Sequence, residues 1–190
     1  MLAQRMATIM PTMSDDEAID TAALYSIIGH SIDLTNWRQR PFRNPHHTCS
    51  AVALVGGSSN PKPGEISLAH NGVLFLDELP EFERKVLDSL REPMETGTVT
   101  ISRAARQMEF PAQFQLIAAL NPSPTGCHHD KRATPDQVMR YLSRVSGPFI
   151  DRIDLQIELP RLSSVELQST TTEETSAEVR ARGEAAYAVQ

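Results

Sequence analysis

Gly72-Val73-Leu74-Phe75-Leu76-Asp77-Glu78 is the stretch that decides the fold. Four bulky apolar residues run without a break into two carboxylates. An unbroken apolar run of this length predicts a parallel strand covered on both faces, because a half-exposed strand would alternate. Open α/β sheets bind ligands at the carboxyl ends of their strands, so Asp77 and Glu78 stand where chemistry is done. Adjacent acids in that place form the Walker B pattern of nucleoside triphosphatases. The first holds Mg²⁺, through water, and the second activates a water for attack on a phosphate. The plainer alternative is a helix N-terminus, whose dipole attracts acids. No G-x-x-x-x-G-K-[ST] stretch occurs among the 190 residues, so the run reads as the acid half of an ATPase without its phosphate cradle.

Working outward, residues 81–91 predict a helix with Phe82, Val86 and Leu90 on one stripe. Residues 98–101 and 107–110 predict two β arms around Ser102-Arg103-Ala104-Ala105-Arg106. Residues 115–120 predict a second buried strand ending at Asn121-Pro122, and residues 122–132 a polar loop. Thr134-Pro135-Asp136 opens a helix to about Val145, with Pro135 in the first turn. Residues 153–159 alternate as a strand, closed by Pro160, and a polar tail from Ser163 carries a helix over 177–188. Upstream, residues 1–10 read as a helix tail ended by Pro11. Ser14-Asp15-Asp16-Glu17 is a capping box that opens a helix to about Ile28, with Gly29 just past its end. Residues 35–65 are irregular, and 51–55 fit either a strand or a helical turn. There is no internal repeat.

Composition limits the function classes. With 40% hydrophobic and 22% charged residues, the chain is of ordinary globular type and long enough to bury a core. A net charge of −6 argues against a generally basic nucleic-acid coat but leaves room for a local cationic patch. Two cysteines, Cys49 and Cys127, are too few for a disulfide framework. No stretch is apolar enough to span a bilayer, and Met1-Leu2-Ala3-Gln4-Arg5 lacks the apolar core of a signal peptide. A cytoplasmic address, away from any membrane, is the expectation.

Other residues admit two readings each. Asn121 is a turn former before proline, or an amide that orients a water against a γ-phosphate from beside Glu78. Arg152 is a surface cation paired with Asp151 or Asp154, or an arginine finger offered to a neighbouring subunit. Arg103 and Arg106 are charges on a solvated hairpin tip, or cations that reach nucleic-acid phosphates. His46, His47, Cys127, His128 and His129 have poor spacing for a structural zinc site.

In their order, these residues resemble the Mg-chelatase-like branch of the AAA+ ATPases, and within it the ComM/YifB group. The resemblance is carried by Arg40-Pro41-Phe42-Arg43 with Pro45-His46-His47, and by the stretch from Gly64 through Pro80. It continues through Arg91-Glu92-Pro93-Met94-Glu95, Ile101-Ser102-Arg103-Ala104, Ala119-Leu120-Asn121-Pro122, and Ser146-Gly147-Pro148 through Asp151-Arg152-Ile153-Asp154. It implies an AAA+ P-loop NTPase-like α/β sandwich of three layers, with a pre-sensor-1 β-hairpin at 98–110 and a helix-2 insertion at 45–64. Residues 1–162 would be the ATPase core and 163–190 the start of a C-terminal helical lid. Asp77 and Glu78 would be Walker B, Asn121 sensor 1, Arg152 the trans finger, and Arg103 a DNA contact. ATP and Mg²⁺ are the implied cofactors, and a hexameric ring and DNA the implied partners.

The resemblance is incomplete in three places. By the resemblance, Met1 follows the place where the phosphate loop would end, so that loop and the strand carrying it are expected to lie outside these 190 residues. Ser123 and Thr125 stand where many relatives have cysteines, and the lid arginine of sensor 2 falls beyond Gln190. The implied parent activity is a helicase that promotes branch migration, and the 190 residues alone are expected not to turn over ATP. Two rivals are a motor that inserts magnesium into a porphyrin, and a non-catalytic oligomerisation module. With the phosphate-loop strand absent, residues 115–120 and 153–159 are expected to leave a gap or an intermolecular contact rather than pair directly.

Overall fold

The computed structural model describes residues 2–31, 34–57, 61–103, 106–125, 133–160 and 174–189. Its centre is a parallel sheet of β1 (Phe42–Arg43), β2 (Val73–Leu76) and β5 (Gln115–Ala118), in the order β1-β2-β5. Phe42 lies opposite Val73, and Val73 through Leu76 lie opposite Gln115 through Ala118. All four residues of β2 are buried, as its unbroken apolar run requires.

The register is set where the strands begin. Val73 N donates to Pro41 O at 2.8 Å and Gln115 N to Gly72 O at 2.8 Å. A Cβ on Gly72 would fall 2.1 Å from the Pro41 carbonyl oxygen, so only glycine allows this approach. Beside it, the buried Arg40 guanidinium donates to Pro11 O at 2.6 Å and Asn71 O at 2.7 Å, and pairs with Glu17 at 3.2 Å. That clamp ties the first turn of α2 (Asp15–Ile27) to the entrance of β2. The capping box of α2 forms as expected: Ser14 Oγ accepts from Glu17 N, and Ser14 N donates to Glu17 Oε2 at 2.8 Å. Gly29 follows with φ of 83°.

Leu74 and Leu76 face a core of Leu54, Ile66, Leu79, Phe82, Val86, Leu87, Leu90 and Phe149. Leu54, Ile66, Val86 with Leu87, and Phe149 come from the short helices α3 (Ala51–Val55), α4 (Glu65–Leu68), α5 (Arg84–Asp88) and α8 (Gly147–Ile150), and the others from the connections beside them; α6 (Arg91–Thr96) and α7 (Pro135–Leu142) are two further short helices. The 51–55 segment is a helical turn capped by Ser50. The helix expected over 81–91 is instead a 3₁₀ turn, Leu79–Glu81, followed by α5 and α6. Phe82, Val86 and Leu90 are nonetheless all buried. The break has local causes: Ser89 Oγ bonds Val86 O at 2.6 Å, and Pro93 has no N–H to extend the preceding helix.

Strands β3 (Thr98–Arg103) and β4 (Arg106–Pro111) form the expected hairpin, from Thr98 opposite Pro111 to Arg103 opposite Arg106. Val99, Ile101 and Phe110 anchor its base in the core. Near the N-terminus, α1 (Leu2–Ile9) packs on α9 (Ser176–Tyr187), where Arg180 donates to Thr8 O at 2.8 Å.

One expected element is absent. Residues 153–159 adopt no regular structure and form no ladder, and Leu155, Ile157 and Leu159 are exposed by 80, 78 and 68%. Alternation suits a strand, but a strand exists only against a neighbour, and the outer edge of β5 pairs with nothing among the described residues. The two segments therefore do not pair, in line with the expected gap. No described helix is long and apolar enough to cross a membrane.

Two consequences are measurable. Gly72→Ala forces the Pro41 carbonyl away and should cost at least about 2 kcal/mol in urea unfolding. His70 is buried, with Nδ1 accepting from Gln113 N at 3.1 Å, and burial pushes its pKa down against the opposing pull of Asp20 and Glu17. As pH falls through the ordinary histidine value, the unfolded chain takes up a proton that the folded ring resists. Stability should therefore fall from neutral toward acid pH until the folded ring titrates. His70→Asn, which keeps an acceptor, should flatten that dependence in denaturant midpoints measured at pH 7.5 and 5.5.

Candidate active site at the carboxyl ends of the strands

The parallel register brings three chain segments to one end of the sheet. β1 runs into Asn44-Pro45-His46-His47, β2 into Asp77-Glu78, and β5 into Ala119-Leu120-Asn121. Beyond the ladder, Ala119 N donates to Leu76 O and Leu79 N to Ala119 O, each at 2.9 Å. These bonds hold the β5 exit against the β2 exit. Asn121 follows two residues later, exposed and at the same end as the acid pair.

Asp77 and Glu78 are both exposed. Asp77 Oδ1 accepts the Glu78 amide at 3.0 Å, and no ion pair to Asp77 occurs among the described residues. Glu78 has φ 54° and ψ 47°, the left-handed region. A non-glycine residue there costs about 1 kcal/mol or more, and such strain gathers at functional sites. Its carbonyl receives Glu81 N at 2.7 Å, which starts the 3₁₀ turn. The chain thus reverses sharply just after the strand and turns the Glu78 side chain away from the core.

Glu78 Oε2 lies 3.1 Å from His47 Nδ1. The His47 ring stacks on His46, with centroids 4.1 Å apart, and meets Phe82 edge-on at 6.4 Å. Spacing alone presents His46 and His47 as poor zinc ligands and misses this contact. The missed signal is positional: both histidines directly follow a strand beside β2, but β1 is only two residues long and too short to recognise. Cys127, His128 and His129 lie outside the described residues. Tyr141 of α7 is also close. Burial, then the fields of Glu81 and Glu78, push its hydroxyl pKa up.

The ion pair that the sequence offered Arg152 as its plainer reading does not form. Arg152 pairs with neither Asp151 nor Asp154 but with Glu95, on α6, and it also donates to Pro148 O. Its Nε is buried without a hydrogen-bond partner. The turn of α8 carries residue 152 back over α6, which no local pattern announces. A cation that the sequence did not single out, Arg144, donates to Glu81 at 2.9 Å beside the acid pair. The backbones of Arg103 and Arg106 pair as the last rung of the hairpin.

A family model described as "Magnesium chelatase, subunit ChlI" matches residues 1–167. The chain is 59% identical over 183 residues to competence protein ComM of Haemophilus influenzae, covering 95% of the chain and 36% of that protein. It is 52% identical over 190 residues to the uncharacterized protein YifB of Salmonella typhimurium, covering 98% and 38%. A shorter match, 30% over 99 residues, joins it to the DNA replication licensing factor mcm6 of Dictyostelium discoideum, covering 52% of the chain and 11% of that protein. The chain therefore spans little more than a third of the curated relatives it matches along most of its length. With the family match running from its first residue through Leu167, the chain belongs to the Mg-chelatase-like AAA+ ATPases of the ComM/YifB type.

Proposed function

We propose that these residues form part of an Mg²⁺-dependent AAA+ ATPase motor, a DNA helicase or branch-migration factor working as a hexameric ring. The observation that carries the reading is the exposed acid pair leaving a fully buried parallel strand. Residues 1–162 act as the ATPase core and 163–190 as the beginning of the lid. The donor chemistry fits Mg²⁺·ATP: Asp77 offers a hard carboxylate with no cation on it among the described residues, the kind of oxygen ligand Mg²⁺ takes through water. When bound, the ion neutralises charge on the phosphates. In this reading Asp77 holds it, Glu78 accepts a proton from the attacking water, and Asn121 orients that water. Arg152 leaves Glu95 to serve the neighbouring subunit's nucleotide.

For DNA, the support is a pair of cations closing a hairpin on a chain of net charge −6, together with the partial likeness to a DNA replication licensing factor. The name of the matching family favours a second reading, a motor for metal insertion into a porphyrin. Stimulation of ATP turnover by DNA separates the two.

The assay uses the chain extended with the segments that its longer ComM-type relatives carry. Glu78→Gln should lower kcat by roughly 100-fold or more while nucleotide still binds. Arg152→Ala should lower kcat by about 1,000-fold with nucleotide affinity kept. Equal loss of rate and affinity would return Arg152 to a structural partner of Glu95, and full turnover by Glu78→Gln would overturn the reading itself.

Arg103→Ala should weaken DNA binding uniformly across sequences. The slope of log affinity against log salt should fall by about 1. An unchanged slope would leave Arg103 as a solvated loop residue.

A further inference from the structure

The His47–Glu78 contact joins two parts of the chain that are each fixed by other bonds. On the histidine side, Pro45 leads into a closed turn in which Cys49 N donates to His46 O at 2.8 Å. The His46 ring is tied to Thr48, with Nδ1 and Oγ1 2.9 Å apart and Thr48 N donating to Nδ1 at 3.3 Å. Ser50 then caps α3. His47 rests between the fixed His46 ring and the buried edge of Phe82. On the acid side, the left-handed backbone of Glu78 is held by the bonds of Asp77 and Glu81 on either side of it.

The contact is only partly shielded, with the His47 and Glu78 side chains 27 and 54% exposed. A pair so wet contributes little stability. Its value is geometric. A free glutamate carboxylate sweeps through many rotamers, whereas a base must stay close to its productive position. Contact through Oε2 engages one oxygen of a carboxylate that is half exposed, and the other oxygen is not part of that contact.

We propose that His47 is a positioning residue for Glu78: its Nδ1–H holds one carboxylate oxygen so that the other accepts the proton of the attacking water. This rests on the reading of Glu78 as the water-activating acid. It assigns to the Pro45-His46-His47 stretch a task that neither zinc binding nor packing supplies.

Two measurements test it. The first needs no nucleotide. In the ¹⁵N-histidine-labelled 190-residue chain, at a pH where the imidazoles are neutral, His47 should show the Nδ1–H tautomer. Glu78→Ala should move it toward the Nε2–H form that free histidine prefers. A tautomer unaltered by Glu78→Ala would overturn the proposal. The second is kinetic, in the extended protein. His47→Ala should lower kcat by about 10- to 100-fold with KM unchanged, the size of loss that misplacing a reacting group produces. His47→Asn, whose amide can donate from the same place, should recover most of it. Loss in His47→Asn equal to that in His47→Ala, or none in either, would overturn the positioning role. If Glu78→Gln abolishes turnover while both His47 variants work normally, only the role of His47 falls. If Glu78→Gln turns over normally, the reading of Glu78 falls and takes this proposal with it.

Discussion

The close approach of the Pro41 carbonyl to the backbone of Gly72 is the constraint from which the rest follows. It lets β1 meet β2 at their first residues, and Gly72 then accepts from Gln115 to start β5. A one-residue slip in either pairing would turn every buried side chain of these strands to the wrong face. Because the register is fixed at the amino ends, β2 and β5 finish level at their carboxyl ends, and β1, which stops two residues short, sends Asn44 onward toward the same end. The Arg40 clamp at the same entrance works with it. A buried guanidinium needs several acceptors at once, and it finds them only when α2, Pro11 and Asn71 are all in place.

The acid pair obtains its character from this arrangement. A strand buried on both faces cannot carry charge, so the first residues past Leu76 are the first able to do so. The left-handed turn at Glu78 converts the end of a strand into a ledge at the cost of local strain. Buried apolar contacts below, from Leu74, Leu76 and Leu79, sustain it.

Local chemistry was legible in the sequence; encounters between distant segments were not. The capping box at Ser14, the helix start at Thr134-Pro135, the two arms of the hairpin and the buried strand at 73–76 each depend on neighbours in the chain, and each formed. The exposed place of Asp77 and Glu78 was readable because the apolar run points straight at them. The contact of His47 with Glu78 and that of Arg152 with Glu95 join residues far apart in sequence, through elements too short to leave a periodic trace. The alternating stretch at 153–159 shows the opposite failure. Its pattern is sound, but pattern supplies no partner.

The bare outer edge of β5 also shapes how the molecule breathes. Along a parallel strand alternate amides point to opposite sides. Those of Gln115 and Ala119 are spent on Gly72 and Leu76, whereas those of Leu116 and Ala118 face the unpaired side. Protection against hydrogen exchange should therefore alternate residue by residue along β5 while remaining continuous along β2, which is bonded on both sides. Local opening then begins at the side that carries Asn121 and leaves the acid pair on the more durable strand.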